Sequence, residues 1–276
     1  MGMLFEAFQK RRDEGAVLPG GLPALTPGES PAEMVNPKLF AYTAPDSIDA
    51  EIFNVIKGHI LFPKDGRKRR TIMVTSAFPG EGKTLIAANL AVNLAMGVHE
   101  KVVLVDCDLR RPNLHEMLNC RNDEGLHEYL IGKRKLEDLL IRTKIEKLML
   151  LPAGKPPRRP ADLLASSAMK DLLVDVKDAP EDLFVILDGA PCQVTAEASV
   201  LANYVDGMVF VIMAKRSPRQ VIRKSAESLG KDKILGIVFN GYTKAYKSYN
   251  RYYRKYYKKE VAELKGQTKK DSFRQD

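Results

Sequence analysis

The sequence predicts an α/β domain: a doubly wound, mostly parallel sheet with helices on both faces. Two observations carry this. Short runs that are apolar throughout recur at Thr71–Ser76, Val102–Asp106, Lys147–Leu151, Phe184–Asp188, Gly207–Met213 and Ile234–Asn240. Strands buried on both faces read this way, whereas half-exposed strands alternate. Between the runs lie helical patterns at Lys83–Met96, Pro160–Val176, Ala196–Tyr204 and Pro218–Leu229. Strand and helix in turn is the βαβ alternation of such a sheet. Ligands bind beyond the carboxyl ends of its strands, so those ends are the places to search.

Taken in order, residues 1–46 read as a flexible extension, because residues 15–47 hold much of the Gly and Pro and few apolar runs. Ser47 then fits a helix N-cap, with Asp49 and Glu51 in the first turn and an apolar pattern at Ile48, Ile52, Val55, Ile56 and Ile60. Residues 47–240 form the main domain and residues 241–276 a basic tail. Of the net +9 charge, +7 sits in that tail, which has eleven Lys/Arg against four Asp/Glu. No apolar run approaches the roughly 18 residues of a membrane span. The N-terminus lacks the apolar core and cleavage site of a secretion signal. Three cysteines without C-x-x-C spacing fit reduced thiols, and four histidines show no metal-ligand spacing.

The first strand runs into Ala77-Phe78-Pro79-Gly80-Glu81-Gly82-Lys83-Thr84, followed by a helix. Gly80 and Gly82 allow tight turns that aim successive amides at phosphate oxygens, and the helix N-terminus adds partial positive charge. This is a phosphate-binding loop, with Ala77 where Gly is usual. Pro79, Gly80, Glu81, Gly82, Lys83, Thr84 and Leu85 are the expected nucleotide contacts. Lys83 reaches the β and γ phosphates, and the Thr84 hydroxyl binds Mg²⁺. Two further strands end in carboxylates: Asp106 with Asp108 two residues on, and Asp188. A strand-end Asp often only caps the next turn. Three carboxylates beside a phosphate loop instead suggest a magnesium site. Cys107 and Cys192 flank these acids and read as small buried hydrophobes.

The combination resembles the bacterial tyrosine kinases of capsule and exopolysaccharide loci, a branch of the MinD/ParA-like P-loop NTPases. The resemblance is carried by Pro79-Gly80-Glu81-Gly82-Lys83-Thr84, by Asp106-Cys107-Asp108-Leu109-Arg110-Arg111-Pro112 and by Asp188-x-x-Pro191. Gly125-Leu126-His127-Glu128-Tyr129-Leu130, and Ala153-Gly154-Lys155-Pro156-Pro157 followed by Pro160-Ala161-Asp162-Leu163-Leu164, support it. It covers about residues 48 to 257. The resemblance implies ATP and Mg²⁺ as cofactors. It implies that Thr84, Asp106 and Asp188 hold the metal, that Lys83, Asp106, Asp108 and Asp188 are catalytic, and that Asp108 orients or deprotonates the incoming tyrosine hydroxyl. Asn240, ending the last strand, corresponds to an adenine contact. In the family's oligomerisation helix, an Arg-bearing motif, this chain has Glu51, Asn54 and Lys57.

Seven of the ten tyrosines fall in the tail: Tyr242, Tyr246, Tyr249, Tyr252, Tyr253, Tyr256 and Tyr257. The resemblance makes them phosphoacceptors offered to a neighbouring subunit. A helical packing stripe, single-stranded nucleic acid and an anionic membrane are the competing uses of such a segment. The expectation is therefore an ATP-dependent protein-tyrosine autokinase that regulates polysaccharide synthesis and chain length. A MinD- or ParA-like ATPase switch and a non-catalytic ATP-binding adaptor are the alternatives. Against the switch, Ser76 to Gly82 lacks the early lysine of partitioning ATPases. The implied partners are a second copy, a membrane polysaccharide co-polymerase and a cognate tyrosine phosphatase, with no nucleic acid. The implied location is the cytoplasm, at the inner face of the membrane.

Overall fold

The computed structural model describes residues 2–13 and 35–242. A seven-stranded sheet has the order β3-β4-β2-β5-β1-β6-β7. Its strands are β1 (Thr71–Ser76), β2 (Lys101–Asp106), β3 (Ile141–Arg142), β4 (Leu148–Leu151), β5 (Leu183–Asp188), β6 (Gly207–Met213) and β7 (Ile234–Asn240). All pairings are parallel except β3 with β4. The six strands expected from apolar runs are present within a residue of their expected ends. The two-residue β3 is too short to leave a pattern in the sequence.

Helices α1 (Met3–Asp13), α2 (Phe40–Thr43), α3 (Ile48–Leu61), α4 (Lys83–Ala95), α5 (Leu114–Leu118), α6 (Leu126–Leu130), α7 (Leu136–Leu139), α8 (Pro160–Leu164), α9 (Ser167–Asp178), α10 (Glu197–Ala202) and α11 (Arg219–Leu229) complete the fold. Successive strand residues point to opposite faces, so each strand feeds two cores. Val103, Val105, Val185 and Leu187 enter the core that also holds α1 and α9. Val102, Leu104, Phe184 and Ile186 enter the one that holds α3 and α4. The single helix expected over Pro160–Val176 is two, because Ser166 caps a new helix by accepting from the Met169 amide. Ser47 caps α3 as expected, accepting from Ala50 N. Among the described residues no helix is long and apolar enough to cross a membrane.

The extension expected to be flexible over residues 1–46 needs correction in its described parts. Leu4, Phe5, Ala7 and Phe8 of α1 are buried against the sheet core. Polar contacts fix the helix: Met3 N donates to Asp175 Oδ2, Lys10 pairs with Glu137, and Arg11 donates to the Leu140 carbonyl. Leu39 and Ala41 are buried on the other face, where Ala41 N donates to the Asn89 side chain at 3.0 Å. An apolar set of only four residues was hidden beside the Gly- and Pro-rich stretch. The tail beyond Tyr242, with six of the seven expected acceptor tyrosines, lies outside the described residues; Tyr242 itself is exposed.

The candidate nucleotide and phosphotransfer site

The site is built at the carboxyl end of three adjacent strands. β1 delivers the phosphate loop, and β2 and β5 each deliver an Asp. In the parallel register Asp106 and Asp188 are direct partners, so the two carboxylates stand side by side at the ladder's end. Neighbouring strands are roughly 4.8 Å apart, which sets the spacing of the pair. The loop turns on Gly80 (φ 77°) and Gly82 (φ 94°), both left-handed conformations that disfavour any side chain. A Cβ on Gly82 would also lie 2.2 Å from Asn240 Nδ2.

Lys83, Asp106, Asp108 and Asp188 come together as expected. The Lys83 ammonium lies 2.8 Å from Asp108 and 3.6 Å from Asp188, and 3.4 Å from the Thr84 hydroxyl. Burial alone would lower the lysine's pKa, but Asp188, Asp108 and Asp106 outweigh it and raise it, so the ammonium stays charged. Burial and the Asp188 charge push Asp106 up to about 8, against the pull of backbone amides and Lys83. Burial also raises Asp188, opposed by Lys83 and Thr84. Two carboxylates buried this close repel each other, and a nearby cation relieves that repulsion.

The two acids are not equivalent. Asp106 accepts from Asp108 N, Asn113 N and Leu114 N, so it holds the loop into α5 in place. Asp188 has no hydrogen bond of good geometry to either of its buried oxygens. An orphaned buried carboxylate is costly unless a ligand uses it. Asp188, the Thr84 hydroxyl and the remaining lone pair of Asp106 fit a magnesium ion, which typically takes one or two carboxylates plus phosphates and water. Among the described residues no group of three His, Cys, Asp or Glu side chains forms a metal cage. Cys107 is fully buried, and burial followed by the neighbouring acids raises its thiol far above its ordinary value. It is an inert core side chain; Cys192 is only partly buried.

Two expected nucleotide contacts, Glu81 and Asn240, turn their side chains to the protein around the loop. The Glu81 side chain is fully buried and points into the protein. It accepts from Phe78 N at 2.8 Å, Met213 N at 3.1 Å and the Ser217 hydroxyl at 2.6 Å. Only its backbone remains for a phosphate. Asn240 donates its side-chain amide to the Glu81 carbonyl at 2.9 Å, fastening β7 to the same loop. Both side chains brace the loop from behind, which a motif cannot reveal because it records spacing and not direction. In α3, the exposed Asn54 joins Glu51 to Asn93 and Lys57 donates to the Asn93 carbonyl, so these side chains fasten α3 to α4.

A cavity of about 690 Å³ opens over the loop. Pro79, Gly80, Gly82, Lys83, Thr84, Leu85 and Asp108 line it, as expected. Lys38, Arg110, Arg111, Asn113, Met117 and Thr195 also line it and were assigned no role from sequence. Arg110 and Arg111 stood inside a quoted motif. Lys38 lies in a stretch read as flexible, so no signal pointed to it.

A phosphate loop braced from behind, a paired strand-end carboxylate and a lysine among three acids define a nucleotide-binding domain of the P-loop class. Residues 72–268 match the CobQ/CobB/MinD/ParA nucleotide-binding domain family. The chain is 37% identical over 205 residues to the tyrosine-protein kinase YwqD of Bacillus subtilis, covering 74% of this chain and 85% of that one. It is 34% identical over 202 residues to the succinoglycan biosynthesis transport protein ExoP of Rhizobium meliloti, covering 71% of this chain but 25% of that one. The crystal structure of the chimerical protein CapA2B2 superposes with a TM-score of 0.70 at 32% identity, covering 75% of this chain and 91% of that chain. The chain belongs to the bacterial tyrosine kinase family, and its enzyme class is protein-tyrosine kinase.

Proposed function

We propose that this chain transfers the γ-phosphoryl group of ATP to tyrosines of its own C-terminal cluster, on a neighbouring copy, and so regulates exopolysaccharide or capsule synthesis and chain length. The observation that carries the reading is the shared cavity. Lys83, Thr84 and Asp108 line one space over the phosphate loop, with Asp188 within reach of the same ammonium.

The loop amides from Gly80 to Leu85 hold the phosphates, and the Lys83 ammonium moves from Asp108 toward the β and γ oxygens. Thr84, Asp188 and Asp106 would hold magnesium, which would neutralise charge on the phosphates. Asp108, released by Lys83, orients the phenol and accepts its proton. The bond from the γ-phosphorus to the bridging oxygen breaks, the bond to the phenolic oxygen forms, and ADP leaves. The transition state is loose, so positioning and charge stabilisation dominate and Asp108 need only assist. The acceptors are Tyr242, Tyr246, Tyr249, Tyr252, Tyr253, Tyr256 and Tyr257.

The stretch that matches this chain is about a quarter of ExoP, a succinoglycan biosynthesis transport protein. A membrane polysaccharide co-polymerase would hold the kinase at the inner face of the membrane, with a cognate phosphatase resetting the tail. The test is phosphotyrosine formation with MgATP. Lys83→Met abolishes it while the circular dichroism spectrum is unchanged. Undiminished phosphotyrosine in that variant would sink the reading. ATP hydrolysis without any phosphotyrosine in the unaltered chain would favour the ATPase switch.

A further inference from the structure

The cavity is cationic where the acceptor must enter. Lys38, Arg110 and Arg111 line it together with Asp108, and all three are exposed at its mouth. Asp108, the acid they share it with, is paired to Lys83 at 2.8 Å. Arg110 is held in place: its Nε donates at 2.7 Å to Glu197, a carboxylate 1% exposed. Arg111 is tied to Asp108 by a tight turn, its amide donating to Asp108 Oδ1 at 3.2 Å.

The proposed acceptor is cationic too. Between Lys247 and Lys259 the tail carries six Lys/Arg and no acid. An unmodified tail therefore meets like charge at the mouth. A phosphotyrosine contributes about −1.5 to −2 and three strong acceptor oxygens, which suit paired guanidinium groups. The spacing also fits. An extended chain advances about 3.3–3.6 Å per residue, so tyrosines one to three residues apart are separated by roughly 3–11 Å. Arg111 lies three residues from Asp108, in a turn closed by its amide at 3.2 Å. Tyr252 and Tyr253, and Tyr256 and Tyr257, are adjacent, and Tyr249 and Tyr252 are three apart.

We propose that Lys38, Arg110 and Arg111 form a phosphotyrosine subsite, occupied by a tyrosine already phosphorylated beside the acceptor. The proposal rests on the kinase reading above. The first transfer to a tail is then the slow one, and each transfer favours the next at a neighbouring position, so tails are modified in runs. The other phosphoryl group within reach is that of ATP, and the experiment separates the two.

The full chain is given MgATP and a synthetic peptide of residues 247–259, either unmodified or carrying phosphotyrosine at position 253. Initial rates at the remaining tyrosines are read by mass spectrometry. The primed peptide shows a KM about tenfold lower, the size of one charge-assisted hydrogen-bonded pair. Arg111→Ala and Lys38→Ala bring the primed KM up to the unprimed one. Arg110 is avoided because removing it strands buried Glu197. Equal or weaker use of the primed peptide overturns the proposal. So does an Arg111→Ala variant that raises only the KM for ATP and keeps the peptide ratio, since the cations then serve the nucleotide. No transfer to either peptide overturns the kinase reading itself.

Discussion

The Ser217 hydroxyl donates to the buried Glu81 carboxylate across 2.6 Å, joining the loop after β6 to the centre of the phosphate loop. Arg216 reinforces this join by donating to the Gly80 carbonyl at 3.1 Å. The phosphate loop is therefore shaped by a second loop that contributes nothing to its sequence motif.

Glu81→Gln places an amide donor against the Phe78 or the Met213 amide. Hydrogen bonds to charged groups contribute about 1.5–3 kcal/mol, so ATP binding weakens on the order of tenfold or more. Ser217→Ala removes a single donor and weakens binding a few-fold. Calorimetric titration with MgATP measures both, and equal affinities in all three proteins would exclude the bracing role.

Asp188→Asn removes a buried charge beside Asp106 that holds Lys83 only loosely, at 3.6 Å. Lys83 keeps Asp108 as its partner at 2.8 Å. The nucleotide-free variant is about 1–2 kcal/mol more stable, which raises Tm by roughly 2–8 °C in a domain of this size. Its phosphotransfer is lost, and added Mg²⁺ no longer strengthens ATP binding. Differential scanning calorimetry with a Mg²⁺ titration checks this; a destabilised variant that still responds to Mg²⁺ contradicts it.

Phe8 is 1% exposed in the core beneath α1. Phe8→Ala costs about 3–5 kcal/mol, the usual range for a buried Phe. Urea denaturation measures the loss. A change under 1 kcal/mol would mean that α1 is not docked in solution.

Asn54→Ala deletes the 2.8 Å bond from Asn93 and the 2.7 Å bond to Glu51. The expected cost is about 1 kcal/mol of stability, without a change in assembly mass by light scattering. A shift in mass would place Asn54 at an interface between copies.

The sheet was legible because its strands are buried on both faces, which forces unbroken apolar runs such as Phe184–Asp188. The site's acids were legible because they end those runs. The register of Asp106 against Asp188 was not, since strand order depends on contacts across the chain. The direction of the Glu81 side chain was not legible for a related reason: a loop position predicts where a backbone passes, whereas side-chain direction is set by distant partners such as Met213 and Ser217. The α1 helix escaped notice because its binding groove is assembled by α7 and α9, far along the sequence.

That last separation shapes how the chain matures. Met3 finds its partner Asp175 172 residues later, and Lys10 finds Glu137 127 residues later. Contacts so distant carry a large loop-closure cost and form late. During synthesis α1 emerges well before its groove, which is complete only after α9 has left the ribosome. At the roughly 5–20 residues per second of translation, the helix holding Leu4, Phe5 and Phe8 waits on the order of ten seconds or more for its site. In that interval Leu4, Phe5 and Phe8 lack their buried partners, and a chaperone covering them would keep the chain from aggregating.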